Sequence, residues 1–344
     1  MDINLFDYKL PEELIAQYPE EKRDHSRLLV VHSTSQTYRD RHFYDILEYL
    51  KTGDILVRNN TKVIPARLIG TKLSTNAHFE ALLLRQVQGD VWECLCGNAK
   101  VLKLGAEVIF GDGTLLKGRV VAVHDEGIRH LEFYYDGIFL ETLERLGTIP
   151  LPPYIKDSAD KYAAYQTVYA KNPGSAAAPT AGFHFTNELI EKIEEKGIKI
   201  VDITLNIGLG TFRPVKVQDT DEHNMHFEHY SMNANAAEIL NQAKEAGQRI
   251  IAIGTTSTRT LESVMQKHHK FVACSGATNL FITPGYKFLA IDALITNFHL
   301  PKSTLIMLVS AFAEREFILK CYQHAVKEKY RFFSFGDAMF IDKL

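Results

Sequence analysis

The sequence predicts an α/β protein, a mostly parallel α/β domain with an inserted all-β barrel domain, and two observations carry that expectation. Between about residues 66 and 147 the apolar period is two, with strand-like runs at 78–85, 91–96, 106–110, 117–124 and 128–135. Gln88-Gly89-Asp90, Gly111-Asp112-Gly113 and Asp125-Glu126-Gly127 separate these runs as turns. A series of short antiparallel strands joined by tight turns is the signature of a small barrel. After residue 148 the texture changes to β-branched runs alternating with helical patterns, as in βαβ units. The expected division is 1–65 plus 148–344 for the α/β domain and 66–147 for the barrel.

Taken in order, a short helix begins after Pro11, a residue suited to a first helical turn. A helix over 42–51 ends at Gly53, and a strand over 54–58 leads into the loop Asn59-Asn60-Thr61-Lys62-Val63-Ile64-Pro65. Thr148-Ile149-Pro150-Leu151-Pro152-Pro153 marks the return from the barrel. A helix over 187–196, capped by Thr186 and stopped by Gly197, precedes a strand over 198–205. A helix over 234–246, stopped by Gly247, precedes a strand over 249–253 and a helix over 257–267. A strand over 290–295 is followed by a helix from about Ser303.

The totals fit an ordinary soluble globular protein. The chain has 344 residues, 46% hydrophobic and 24% charged, enough for a core and about two domains. A net charge of −3 leaves no global nucleic-acid footprint, so any RNA must be met by a local basic patch. Lys62, Arg67 and Lys72, and separately Lys327, Lys329 and Arg331, are the candidates, although a solvated surface explains each set alone. Four scattered cysteines form no disulfide framework and point to a reducing cytoplasm. The N-terminus lacks the features of a signal peptide, and the apolar run 305–313 is about half the length of a membrane span.

Four loops rich in small and hydroxyl residues hold the candidate site. They are Ala178-Pro179-Thr180-Ala181-Gly182-Phe183-His184-Phe185-Thr186, Leu205-Asn206-Ile207-Gly208-Leu209-Gly210-Thr211-Phe212-Arg213-Pro214, Gly254-Thr255-Thr256-Ser257-Thr258-Arg259-Thr260-Leu261-Glu262 and Thr296-Asn297-Phe298-His299-Leu300-Pro301-Lys302-Ser303-Thr304. Three follow β-branched runs, which places them at the carboxyl ends of strands, where open α/β sheets bind ligands. Together they imply a composite pocket for a sizeable polar small molecule.

Several motifs exclude more than they assign. Gly208-Leu209-Gly210 lacks the third glycine of a dinucleotide fingerprint, because Arg213 stands there. Lys302-Ser303-Thr304 imitates the end of a phosphate loop, yet Pro301 replaces the required glycine. Thr255, Thr256 and Ser257 precede Arg259 near a helix start, a setting that favours an anion, with the guanidinium suited to a carboxylate. His184 and His299 are candidates for proton transfer, against an equal expectation of structural hydrogen-bonded histidines. Phe183, Phe185 and Phe298 are candidates to stack on a base, although core packing is the commoner use of such residues. His223, His226 and His229 with Glu222 and Glu228 match no zinc signature, so a polar connecting segment is expected. Cys94 and Cys96 share one face of a strand and are expected inside the barrel.

Taken together, the chain resembles the S-adenosylmethionine:tRNA ribosyltransferase-isomerases, the QueA family of queuosine biosynthesis. The resemblance rests on Phe6-Asp7-Tyr8, Leu14-Ile15-Ala16-Gln17, Ser26-Arg27-Leu28-Leu29-Val30, Asn60-Thr61-Lys62-Val63-Ile64-Pro65-Ala66-Arg67, Tyr165-Gln166-Thr167-Val168-Tyr169-Ala170, the four loops, and Phe332-Phe333-Ser334-Phe335-Gly336-Asp337-Ala338-Met339. It implies transfer and isomerisation of the ribosyl part of S-adenosylmethionine onto 7-aminomethyl-7-deazaguanine at the tRNA wobble position. The product is epoxyqueuosine-tRNA, with adenine and methionine released. It further implies no metal, no cofactor beyond S-adenosylmethionine as a consumed substrate, the tRNA anticodon arm as partner, no membrane, and a cytoplasmic monomer.

On that resemblance His184 and His299 carry proton transfer. Thr180, Gly182, Phe185, Asn206, Gly208, Gly210, Thr211, Arg213, Thr255, Thr256, Ser257, Arg259, Asn297, Phe298 and Lys302 bind substrate. Within this set Arg259 holds the methionine carboxylate and Phe298 stacks on adenine. The chain departs from the family pattern at Asn206, usually His, and at Phe183, usually Leu. Thr258 replaces Val, Asn279 replaces Asp and Glu314 replaces Gly. An S-adenosylmethionine-dependent methyltransferase and a non-catalytic tRNA-binding protein are the competing expectations.

Overall fold

The computed structural model describes residues 1–156, 159–208, 217–223 and 225–343. The chain forms two compact units: Met1–Thr61, Pro153–Asn172 and Ala178–Leu344 make one, and Lys62–Pro152 with Pro173–Ala177 make the other.

The larger unit is built on a nine-stranded sheet. Its strands lie in the order Cys274–Thr278, Glu228–Met232, Lys199–Asn206, Ile55–Asn59, Ile250–Ile253, Ala293–Asn297, Ala338–Asp342, Arg27–His32 and Thr37–His42. The centre, from Lys199–Asn206 to Ala293–Asn297, is parallel. Towards one edge Ala338–Asp342 runs antiparallel to Ala293–Asn297 and parallel to Arg27–His32. The sheet is therefore mixed: its centre is parallel, Arg27–His32 and Thr37–His42 form an antiparallel hairpin, and Ala338–Asp342 and Glu228–Met232 enter antiparallel to neighbours that lie far away in sequence. A short turn at 33–36 can only return the chain antiparallel, whereas parallel neighbours need a crossover. Ile250–Ile253 and Ala293–Asn297 are buried at every residue, which is why they read as unbroken apolar runs. Lys199–Asn206 alternates, because one of its faces is partly open.

The core on one face joins Leu28, Val30, Phe43, Leu56, Phe185, Leu189, Ile193, Ile251, Ile295 and Phe340. Helix Asn187–Glu195 begins as its sequence predicts, with the Thr186 side chain accepting from the Leu189 amide. Helix Thr304–Ala313 is likewise capped by Ser303. The expected helix over 42–51 is instead a 3₁₀ turn, Phe43–Asp45, and a single α turn, Ile46–Tyr49. The helix expected from Ser257 starts earlier, at Gly254, whose φ of +85° makes a sharp exit from the strand that glycine tolerates. Thr255, Thr256 and Ser257 thus lie within its first turn.

The smaller unit contains a closed six-stranded antiparallel barrel of Arg67–Lys72, His78–Gln88, Val91–Gly97, Glu107–Phe110, Leu116–Val123 and Ile128–Tyr134. Its interior is filled by Leu68, Phe79, Ala81, Val108, Phe110, Val120, Leu131 and Phe133, with Cys94 and Cys96 buried as free thiols. Gly70 faces this packing: a Cβ there would lie 2.4 Å from the Phe79 ring. Arg129 is buried too, donating to the carbonyls of Ala99, Leu102, His124 and Ile128, which disperses its charge over four acceptors.

Candidate active site

The carboxyl ends of the four central parallel strands bring Asn59, Asn206, Gly254 and Asn297 to one side of the sheet. The 3₁₀ turn Thr180–His184 packs against the strand Ala293–Asn297 and the start of helix Gly254–His268. Three of the four predicted loops therefore meet within the described residues. Asn206 and Gly208 of the remaining loop are placed beside them, while Gly210, Thr211 and Arg213 lie outside the described residues.

Close approach explains the small residues. A Cβ on Gly182 would fall 1.9 Å from the Tyr169 hydroxyl and 2.8 Å from the Thr167 methyl group, so only glycine fits. Gly254 sits against Ala181, where a Cβ would meet that methyl at 3.4 Å. Gly208 faces open space, and its amide donates to Glu228 Oε1 at 3.2 Å. Thr180 and Thr255 are half-buried at the margin. Asn206 accepts from the Thr61 hydroxyl at 2.8 Å. Next to it, Asn60 Oδ1 receives Asn172 Nδ2 and the Thr204 hydroxyl.

A set of buried polar atoms at this place has no hydrogen-bond partner: His184 Nε2, Asn297 Oδ1, Thr256 Oγ1, Ser257 Oγ, Thr167 Oγ1 and the Tyr169 hydroxyl. Buried polar atoms are nearly always paired, so a local group of unpaired ones suits a polar ligand. In addition, the first-turn amides of helix Gly254–His268 have no partner within their own helix, and the helix dipole favours negative charge there.

The two candidate histidines differ. The His184 ring stacks on Phe43 with centroids 4.9 Å apart, and its Nδ1 lies 2.7 Å from Ser26 Oγ. Burial drives its pKa down to about 3, opposed by the Asn297 carboxamide. Burial also drives His299 to about 3. His299 Nε2, however, is already engaged with Thr296 Oγ1 at 2.8 Å, its amide donates to the Tyr322 hydroxyl, and its carbonyl accepts from Tyr8. His184 Nε2 is thus without a hydrogen-bond partner, whereas His299 Nε2 is engaged by Thr296.

Arg259 was expected to present its fork to a ligand. The structure closes that fork internally: Nη1 pairs with Glu228, Nε donates to the Leu280 carbonyl at 3.0 Å, and Nη2 reaches the Thr278 carbonyl at 3.4 Å. Phe298 corrects a second expectation. It is fully buried, ringed by Tyr322, Tyr330 and Phe332 at 5.1–5.4 Å between centroids, and offers no face to a base. Phe185 is likewise core, edge-on to Phe43. Lys302 is half-exposed, pairs with Asp7 at 2.9 Å and has φ +58°.

Sequence reasoning gave no role to Ser26 and set Glu228 only within a metal-like cluster. Among the described residues no group of three or more His, Cys, Asp or Glu is placed to hold a metal ion. Glu228 is instead the partner of Arg259, which the alternation of its strand, buried at Glu228, Tyr230 and Met232, signals only weakly. Of the two basic sets, Arg331 is spent on Glu20 and the Tyr18 carbonyl, and Arg67 lies 3.4 Å from Glu80.

The sequence model of the family described as queuosine biosynthesis protein matches residues 3–341. Among solved structures, the chain is similar to an S-adenosylmethionine tRNA ribosyltransferase from Thermotoga maritima, with 37% identity and a TM-score of 0.57. That similarity covers 98% of this chain and 99% of the other. Barrel, mixed sheet and strand-end loops thus fall inside one continuous match, and the chain belongs to the queuosine biosynthesis protein family.

Proposed function

We propose that this chain is an S-adenosylmethionine:tRNA ribosyltransferase-isomerase. It transfers the ribosyl part of S-adenosylmethionine to 7-aminomethyl-7-deazaguanine at the wobble position of a tRNA, and it isomerises that group to give epoxyqueuosine. Adenine and methionine leave. The observation that carries the reading is the group of unpaired buried polar atoms at the strand ends, in a chain whose family acts in queuosine biosynthesis.

The chemistry follows from the substrate. A sulfonium acidifies the adjacent C5′ hydrogens, so a neutral base can begin the rearrangement by taking one. His184 fills that role through Nε2, and Asn297 Oδ1 receives the new N–H. The first turn of helix Gly254–His268, with Thr255, Thr256 and Ser257, holds the methionine carboxylate. Arg259 and Glu228 stand behind it and set the position of Gly208. Thr180, Gly182 and Asn206 line the ribose side, and Lys302 faces the phosphates of the RNA. The enzyme acts as a cytoplasmic monomer on the anticodon arm, with S-adenosylmethionine consumed as a substrate.

The test is mass spectrometry of a reaction between the protein, S-adenosylmethionine and an anticodon stem-loop carrying the aminomethyl base. Free adenine and methionine with an epoxycyclopentanediol on the nucleoside are expected. Adenosylhomocysteine in their place would make the chain a methyltransferase, and RNA binding without turnover would make it a tRNA-binding protein.

A further inference from the structure

Phe183, Phe185, Phe298 and Phe335 are all buried, so none of these rings shows a face to a ligand. Phe333 differs. It is half-buried and belongs to the loop 331–337, which leads into the strand Ala338–Asp342. Ala338 pairs with Asn297, so the loop lies at the carboxyl end of the central strands, beside the candidate site.

The loop is pinned along its length. The Asp337 carboxylate accepts from the amides of Arg27 and Arg331 at 2.8 and 2.7 Å. A Cβ on Gly336 would lie 2.5 Å from the Arg331 carbonyl oxygen, so the backbone passes where only glycine fits. The Phe333 amide donates to the Phe298 carbonyl at 3.1 Å. Its own carbonyl accepts from the Gly336 amide at 2.8 Å and from Asn297 Nδ2 at 2.9 Å. Held at these points, Phe333 has φ +73°, a conformation that a bulky side chain adopts only under constraint. Such strain persists where the surroundings over-determine it, and it clusters at active sites and ligand clamps.

The constraint brings a ring out of the core next to the Asn297 carboxamide. Phe332, one residue earlier, packs inside against Phe298 and Tyr322. The Phe333 ring meets Tyr154 at 4.2 Å between centroids but is inclined by 54°, so the two are not stacked face to face. Two other half-buried rings in this unit are occupied. Tyr169 carries the Arg58 guanidinium over its ring at 4.4 Å, and Tyr8 is tied through its hydroxyl to the His299 carbonyl.

We infer that Phe333 is a substrate-binding residue whose ring stacks on a purine-type base. Two sources share that chemistry, the adenine of S-adenosylmethionine and the 7-deazaguanine of the RNA, both flat fused heterocycles with a π face. The inference deepens the proposed function and rests on it, since that reading supplies both bases.

The experiment uses fluorescence. The chain's one tryptophan, Trp92, lies in the barrel strand Val91–Gly97. In a Trp92→Phe background, Phe333→Trp sets an indole at this position and keeps an aromatic face. Quenching by S-adenosylmethionine alone identifies adenine as the stacked base. Quenching by the aminomethyl stem-loop, and not by a stem-loop abasic at the wobble position, identifies the deazaguanine. Phe333→Leu, which keeps bulk without a π face, is expected to weaken binding of the same ligand about 10–100-fold, with Phe333→Tyr restoring it. An indole blind to both ligands while calorimetry shows both bound would overturn the inference. So would a Phe333→Leu chain that melts lower yet binds both ligands normally, the mark of a purely structural ring. Quenching by S-adenosylmethionine in a chain that yields adenosylhomocysteine would leave the Phe333 assignment standing and overturn the ribosyl-transfer reading.

Discussion

Arg259 and Glu228 face each other as a buried ion pair, and the second oxygen of that carboxylate accepts from the Gly208 amide. One carboxylate therefore joins the helix Gly254–His268 to the start of the Gly-Leu-Gly loop. Breaking such a pair strands the remaining charge in a low-dielectric interior. Arg259→Ala is expected to cost about 3–5 kcal/mol of stability, measured by urea denaturation. Glu228→Gln keeps an acceptor for Gly208 but leaves the Arg259 charge buried without a counter-ion, and is expected to lower stability by a similar amount in the same denaturation. If Arg259→Ala left stability intact and only raised KM, the guanidinium would be a ligand clamp after all.

Glu314 links the helices Thr304–Ala313 and Arg315–Lys327 with φ +64° and ψ +129°. Side chains with a Cβ rarely adopt that conformation, and glycine commonly stands here in the family the sequence resembles. Replacing Glu314 by Gly is expected to relieve about 1–3 kcal/mol of strain, less the bond from Gln36 to its carboxylate at 2.8 Å. The urea midpoint should rise while turnover stays unchanged. A lower midpoint would mean that the Gln36 contact outweighs the strain.

Both site histidines are neutral in the folded chain, with pKa values near 3 against about 6.5 when unfolded. Above pH 6.5 neither state binds the proton, and the pair contributes nothing to pH dependence. Below it the unfolded chain takes up protons that the folded one refuses, so stability falls as pH drops from 6.5 towards 3. Each histidine contributes a slope of about 1.4 kcal/mol per pH unit within that window. Melting temperatures at pH 7.5, 6 and 5 should therefore decline, and the decline should be smaller in His299→Gln than in the unsubstituted chain. Equal declines would show that His299 titrates normally.

Asn206 holds the Thr61 hydroxyl where the family resemblance places histidine. A ring nitrogen can accept the same bond, so Asn206→His is expected to fold with little change in melting temperature. The substitution adds a group that titrates near pH 6.5, and kcat/KM for ribosyl transfer should gain a limb there. A superimposable pH profile would make this position silent in the reaction.

The parallel centre of the sheet and the barrel were legible because their periods differ so plainly, and the caps at Thr186 and Ser303 marked helix starts within a residue or so. The site loops were legible from the small residues that close approach demands, as Gly182 against Tyr169 demonstrates. Three elements at the far side of the sheet were not. Thr37–His42 is nearly all polar, and Arg27–His32 and Ala338–Asp342 are short and distant in sequence, so their pairing has no local signal. The same limit hid the partners of the site. Nothing near Arg259 announces Glu228, 31 residues away, and nothing near His184 announces Ser26, 158 residues away. Phe298 looked like a stacking ring because sequence reports hydrophobicity, whereas an open face depends on neighbours such as Tyr322 and Phe332.

The strand Thr37–His42 closes one edge of the large sheet, and it reads Thr-Tyr-Arg-Asp-Arg-His. An exposed edge offers unpaired backbone groups to any passing chain in extended form, including an unfinished copy of itself. Here a would-be neighbour meets two arginines and an aspartate, charges that it would have to strip of water before docking. The strand's side chains thus guard this edge against a further strand. Its polarity makes this side of the nine-stranded sheet a poor place for a tenth strand to add.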